Sequence, residues 1–202
     1  MYRNIILACA LIMVFTISAT AQEQRSEIGL QGTGFFSRDA GGRGVSQHST
    51  DVGGFLVDYR YHLNRWLAAD ATYGYNRNTQ EYGNVPGFSR VQSDIHQITG
   101  GVVLNVPRLA RLRLNPYVLA EGGALVFRPT GNAVGVVPGA SDQTRGVFVY
   151  GGGASYPLSQ HFSLRAEYRG LVYNTPDFGL QALNTNSVTH TAQPSAGIVF
   201  RF

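Results

Sequence analysis

The 202-residue chain has no lysine. Its sixteen basic residues are all arginine, set against twelve acids for a formal charge of +4. The arginines are scattered rather than gathered into a patch, which excludes nucleic acid as an expected partner. The single cysteine, Cys9, lies inside an N-terminal apolar run. A lipid-attachment cysteine would follow such a run at the cleavage site. The chain after Cys9 has no thiol for a disulfide, a nucleophile or a metal site. Long apolar stretches are also missing. No run approaches the roughly 18 residues of a membrane helix. Ile5 to Ile17 is apolar over only about 13 residues, follows the basic Arg3, and leads to Ala19-Thr20-Ala21, the form of an export signal. Residues 1–21 are therefore expected to be removed, leaving 22–202 as one domain.

What remains is rich in glycine, tyrosine and phenylalanine, and it alternates. In 26–37, Ile28, Leu30, Gly32, Gly34 and Phe36 oppose Gln31, Thr33 and Ser37. In 52–63, Phe55, Val57, Tyr59 and Tyr61 oppose Asp58, Arg60 and His62. After a tight turn at Asn64-Arg65, Leu67, Ala69, Ala71, Tyr73 and Tyr75 oppose Asp70, Thr72 and Asn76. The same period of two, which no helix fits, recurs over about 93–106, 114–127, 146–158, 162–173 and 189–202. In the last two, Phe162, Leu164, Ala166 and Tyr168 oppose Arg165, Glu167 and Arg169, and Ala196, Ile198, Phe200 and Phe202 oppose Ser195 and Arg201. Pro194 interrupts the final strand. It has no N–H to give, so a bulge or a local gap is expected beside it.

Eight strands with short connections at one end and long Gly-, Asn-, Pro- and Ser-rich ones at the other have the layout of an outer-membrane barrel. Closure also satisfies the requirement that every backbone polar group in lipid be paired within the protein. Trp66, Tyr59, Tyr61, Tyr156, Phe162, Phe200 and Phe202 fall at the short-turn ends, where aromatic rings suit the headgroup zone. The predicted architecture is a closed eight-stranded antiparallel up-and-down transmembrane β-barrel in outer-membrane lipid. A soluble barrel with an apolar interior shares the alternation, and the aromatic placement is what favours lipid outside. The polar faces carry Asp58, Arg60, Asp70, Glu121, Arg165, Glu167 and Arg169. A barrel this narrow is filled by its side chains, so these seven are expected to form a mutually paired network that plugs the lumen.

Signs of chemistry are few. Gly29 to Gly34 and Gly151 to Gly153 lack the lysine and the helix start of a phosphate loop. Asp94-x-His96 is the nearest approach to a metal motif, and no cofactor is expected. Small barrels acting on lipid A or phospholipid would need a histidine–serine set at one rim. His96 and His190, with Ser93 and Ser187 nearby, are the only residues that suggest one. Catalysis is not expected. A structural or surface-interaction role, with long loops presented to an extracellular partner, is favoured over a lipid-modifying enzyme or a narrow pore.

The export signal, the run Tyr150-Gly-Gly-Gly-Ala-Ser-Tyr156 followed by Leu164-Arg-Ala-Glu-Tyr-Arg169, and the end Gly197-Ile-Val-Phe-Arg-Phe202 give the chain its family likeness. It resembles the OmpA-like outer-membrane β-barrel superfamily, specifically the small members that consist of the barrel alone. The resemblance implies a place in the bacterial outer membrane. It also implies that Ile198, Phe200 and Phe202 form the signal read by the barrel-assembly machinery. No peptidoglycan-binding domain follows the last strand in this sequence.

Overall fold

A computed structural model describes residues 25–42, 45–83, 90–106, 113–130, 141–180 and 186–202. The expected export signal lies outside them. Ten strands occur in order: β1 (Ser26–Ser37), β2 (Ala40–Gly42), β3 (Val45–Ser49), β4 (Val52–His62), β5 (Leu67–Gly83), β6 (Arg90–Asn105), β7 (Asn115–Pro129), β8 (Gln143–Pro157), β9 (Phe162–Asn174) and β10 (Val188–Arg201). Eight of them, all but β2 and β3, pair antiparallel with their neighbours, and β1–β10 closes the ring. The closed eight-stranded barrel is therefore as the alternation predicted.

The ladders also give the stagger. Pairing leads from Glu27 to Arg60, Asp70, Gly101, Glu121, Val149, Leu171 and Thr191, and returns to β1 at Ser37, ten positions beyond its start. For eight strands that offset corresponds to a tilt of roughly 40° and a barrel just wide enough for side chains to fill.

Short turns hold the lower end. The Asn64 side-chain oxygen accepts the amides of Trp66 at 2.8 Å and Leu67 at 2.9 Å. Ser159 does the same for Phe162 at 3.0 Å. Both are side-chain turns of the kind Asn and Ser favour. At the other end the structure departs from the expectation. β5 and β6 run well past the alternating region, and β3 pairs with the extension of β5, with β2 beyond it. The segment Arg77–Gly83 is polar on both faces and reads as loop in the sequence. Its inward side chains, Asn78 and Gln80, are buried yet polar, so no apolar face marks the strand. Cross-strand pairs Arg77–Asp94 (2.6 Å) and Arg90–Glu81 (2.9 Å) hold the extension together.

On the outer wall, Ile28, Leu30, Val57, Ile98, Val102, Leu104, Val118, Leu164 and Ile198 are exposed. Tyr59, Trp66, Tyr156, Phe162 and Phe200 are exposed below them, and Tyr61 and Phe202 are partly covered. The Phe200 ring lies 5.2 Å from Phe162 and 5.8 Å from Phe202. Phe55, Tyr73, Phe148 and Tyr150 stand exposed near the loop end.

Pro194 leaves the gap expected of it. The β1–β10 ladder passes from Thr33↔Ser195 to Phe36↔Ala192 with no pairs between and no change of register, while β9 keeps its pairing to Pro194. The Thr33 hydroxyl takes up the slack, lying 2.9 Å from the Pro194 carbonyl.

Candidate functional site

The inward faces of the strands meet in a lumen with two tiers. The lower tier holds all seven charged residues named from the sequence, each buried, and its arginines come from β4 and β9. Arg60 donates to Asp70 at 2.8 Å and lies 3.6 Å from Glu167. Arg169 donates to Glu167 through Nε, to Glu121 at 3.1 Å and to Thr72 at 3.1 Å. Arg165 forks between Asp58 and Glu27, each at 2.6 Å. The structure thus joins Arg60, Asp70, Glu167, Arg169 and Glu121 in one chain and sets Arg165 with Asp58 in another. Charge alone does not explain these pairs. An Arg–carboxylate contact this far from water is stabilised by neutral donors that take up further lone pairs, although Asp70 Oδ1 and Glu121 Oε1 have no hydrogen-bond partner among the described residues. Thr99 donates to Glu121 at 2.6 Å, Tyr117 to Glu167 at 2.5 Å and Gln31 to Asp58 at 2.9 Å. The Arg60 guanidinium lies 4.5 Å over the Tyr117 ring.

Glycine makes room for this crowd. A side chain at Gly153 would come within 2.7 Å of the Tyr117 hydroxyl, and one at Gly29 within 2.2 Å of an Asp58 oxygen. Close approach of the opposing side chain, rather than a phosphate loop, accounts for these two glycines.

Sequence reasoning left out Glu27. It lies on the inward parity with Gln31 and Thr33, at the second position of β1, and binds Arg165 and Arg201, with His62 3.0 Å away. Its parity was the available signal.

The upper tier was not foreseen. Phe35, Ile95, Leu125, Phe127, Val147, Val149, Leu171 and Tyr173 are buried inside the barrel's loop-side half. The signal was the failure of alternation in Val147-Phe148-Val149-Tyr150 and Leu171-Val172-Tyr173, where both faces are apolar because one meets lipid and the other a packed apolar cluster in the lumen. Phe178, from the connection after β9, is fully buried on this tier and meets Phe127 edge-on at 6.4 Å. Its φ of 52° is left-handed, a conformation a bulky residue adopts only when its surroundings enforce it. Gln143 supplies that constraint by accepting the amides of Asp177 (2.8 Å) and Phe178 (3.0 Å) and donating to Asp177 at 2.6 Å. Arg145 lies 3.2 Å from the other Asp177 oxygen. Partial burial raises the Asp177 pKa, but the Gln143 and Gly179 hydrogen bonds and the Arg145 charge outweigh it and hold the carboxyl below the usual aspartate range.

The histidine–serine set is not assembled. His96 and His190 both face outward, bonded to Tyr73 at 2.8 Å and Tyr150 at 2.7 Å. Their strands, β6 and β10, are four apart in either direction around the ring, so the two imidazoles stand on opposite walls. Ser93 corrects the expectation that it lies beside His96, because it is buried in the lumen on the other face of β6. Ser187 bonds through its carbonyl to Thr175 at 2.9 Å. Asp94 is taken by Arg77 and by Tyr75 at 2.9 Å. Among the described residues no cluster could hold a metal ion.

The sequence matches the family described as outer membrane protein beta-barrel domain over residues 7–202. No curated protein matches it. Among solved structures it is similar to Neisserial surface protein A, at a TM-score of 0.56 and 17% identity, covering 87% of this chain and 97% of that one. OprG from Pseudomonas aeruginosa aligns at 0.54 and 15%, covering 88% and 96%. Ail, the attachment invasion locus protein of Yersinia pestis, aligns at 0.52 and 16%, covering 88% and 99%. At these identities the likeness is one of fold.

Proposed function

The chain belongs to the outer-membrane β-barrel family and resides in the bacterial outer membrane, and from that premise we propose that it is a plugged barrel with a structural and surface-interaction role. The observation that carries this reading is the two-tier filling of the lumen. Ion-paired side chains fill the lower half, and the upper half is packed with an apolar cluster on one side, buried amides and hydroxyls such as Gln97, Gln193 and Thr191 on the other, and Phe178 over it. Neither tier suits a hydrated ion path. Function then falls to the loop-side surface, where the extended β5–β6 hairpin and β3 carry the sheet above the barrel. An extracellular partner would meet this surface. Insertion by the barrel-assembly machinery through Ile198, Phe200 and Phe202 belongs to the same reading.

The Ail structure holds a heparin analogue, sucrose octasulfate. In this chain Arg77, Arg90, Arg128 and Arg145 at the loop end each lie within 4 Å of a carboxylate, the longest such contact being 3.6 Å. That mixed surface favours a partner recognised by shape and backbone over a polyanion.

Planar-bilayer recording tests the plug. The refolded protein should give no steady conductance, and the double variant Arg169→Ala/Phe178→Ala should give measurable current. Open-channel steps from the wild-type protein would overturn the reading. Turnover of lipid A or phospholipid by the purified protein would favour the enzyme alternative instead.

A further inference from the structure

The short-turn end of the barrel opens into a cavity of about 740 Å³, a size that suits a small ligand. Its lining is one-sided in charge. Arg25, Arg60, Arg65, Arg165, Arg201 and His62 face it, with Glu27 as the only carboxylate among the described residues. The other acids that engage Arg60 and Arg165, namely Asp70, Glu167 and Asp58, do not line the mouth. Positive charge is thereby turned toward the mouth.

Glu27 shows what this cradle accepts. Its carboxylate is held at once by Arg165 at 2.6 Å, by Arg201, and by His62 at 3.0 Å. A second observation is independent of Glu27. Arg60 is 1% exposed, lines the cavity, and its Nε donor has no hydrogen-bond partner among the described residues. A guanidinium donor that is buried and still unused is set up to receive an acceptor oxygen. At the rim, Arg65 lies 5.0 Å over the Trp66 ring, which is itself part of the lining. Asn64, Asn105 and Asn115 add amide groups suited to a multi-oxygen anion. Several guanidinium forks around one opening fit a phosphate group, which offers three acceptor oxygens and nearly two charges.

We infer that the periplasm-facing mouth of this barrel is a binding site for a phosphate group, with Glu27 as an internal competitor for the same arginines. The phosphate could belong to a soluble ester in the periplasm or to the headgroup of an anionic phospholipid in the inner leaflet.

Trp66 is the only tryptophan in the chain, so its emission reports on the mouth directly. The refolded full-length protein in zwitterionic detergent is titrated with inorganic pyrophosphate, with sodium chloride of equal ionic strength as the control. Pyrophosphate should change Trp66 emission saturably and chloride should not. Glu27→Gln should bind at least threefold more tightly, while Arg201→Gln and Arg65→Gln should bind at least tenfold more weakly. Arg65 is at the exposed rim, so its variant keeps the test alive if either buried-side variant fails to refold. Loss of the response in Glu27→Gln, in protein whose β-type circular dichroism is intact, would overturn the inference. So would a chloride response equal to that of pyrophosphate. Glycerol 1-phosphate and nanodiscs with or without phosphatidylglycerol separate the sources. A response to both identifies a phosphate site open to either, and a response to the lipid alone identifies a headgroup site. A response to neither rejects a phosphate site.

Discussion

Arg169 is the residue on which the lumen turns. It reaches Glu167, Glu121 and Thr72 at once, with no exposed surface of its own. Removing one partner leaves a charge in a place water does not reach, which costs about 3–5 kcal/mol, whereas replacing both partners by apolar groups can be close to neutral. Arg169→Met should therefore destabilise the barrel strongly, since it leaves Glu121 and Glu167 short of their shared cation. Adding Glu121→Leu should recover part of that loss, whereas adding Glu121→Leu to Arg165→Met should recover none, because Arg165 is paired with Asp58 and Glu27. Urea unfolding in lipid vesicles measures each variant. Equal recovery from either arginine variant would show that the pairing is diffuse. The seven charged residues were legible in the sequence because each sits at a polar parity flanked by apolar neighbours. Their partners were not. Pairing depends on the ring offset between strands, which brings Arg169 of β9 to Glu121 of β7 across the lumen, and no local pattern carries that distance.

At the level of single elements, the connection after β9 and the last strand each carry a testable device. Asp177 and Gln143 hold Phe178 on the apolar tier. Because the Asp177 pKa is depressed, its anchoring is present above the ordinary aspartate range and is lost as pH falls through the lowered value. Protease access to this connection should thus rise only under distinctly acid conditions. Asp177→Asn should show raised access already at neutral pH with little further change on acidification. Phe178→Ala removes a buried ring, and such truncations cost up to about 3–5 kcal/mol. Here the loss should appear as local opening without displacement of the strands. In β10, the gap at Pro194 leaves the amide of Gly34, on the β10 side of β1, outside the β1–β10 ladder, while Phe35 turns to β4 and stays paired with Val52. The Gly34 amide should exchange with deuterium faster than that of Leu30, read by amide NMR in micelles. Thr33→Val should cost about 1 kcal/mol, the net worth of one hydrogen bond. The gap was legible, since a proline lacking a donor permits little else. The β5–β6 extension was not, because the buried Asn78 and Gln80 are as polar as the outward Arg77, Thr79 and Glu81 and leave no periodic trace.

For the molecule as a whole, the decisive physical fact is closure. Every barrel strand is paired on both sides, so unfolding cannot begin by peeling an edge. Unboiled protein should migrate differently from boiled protein on a denaturing gel, with β-type circular dichroism persisting in detergent at room temperature. Identical migration before and after boiling would contradict a closed ring. The strand order and the outward aromatic rings were readable from alternation and loop length alone. The apolar cluster in the upper lumen was hidden because a stretch such as Val147-Phe148-Val149-Tyr150 looks the same whether its second face meets lipid, a sheet or a packed interior.

The ten-position return from Glu27 to Ser37 makes the barrel's geometry an integer. A lone residue inserted into any one strand cannot be absorbed there by sliding. Slippage by one would turn that strand's lumen side chains toward the hydrocarbon, so the offset can change only in steps of two. Such a step alters tilt and girth all the way around. Insertions and deletions should accordingly be found in the loops or as local bulges, and length variation within a strand should come in even numbers.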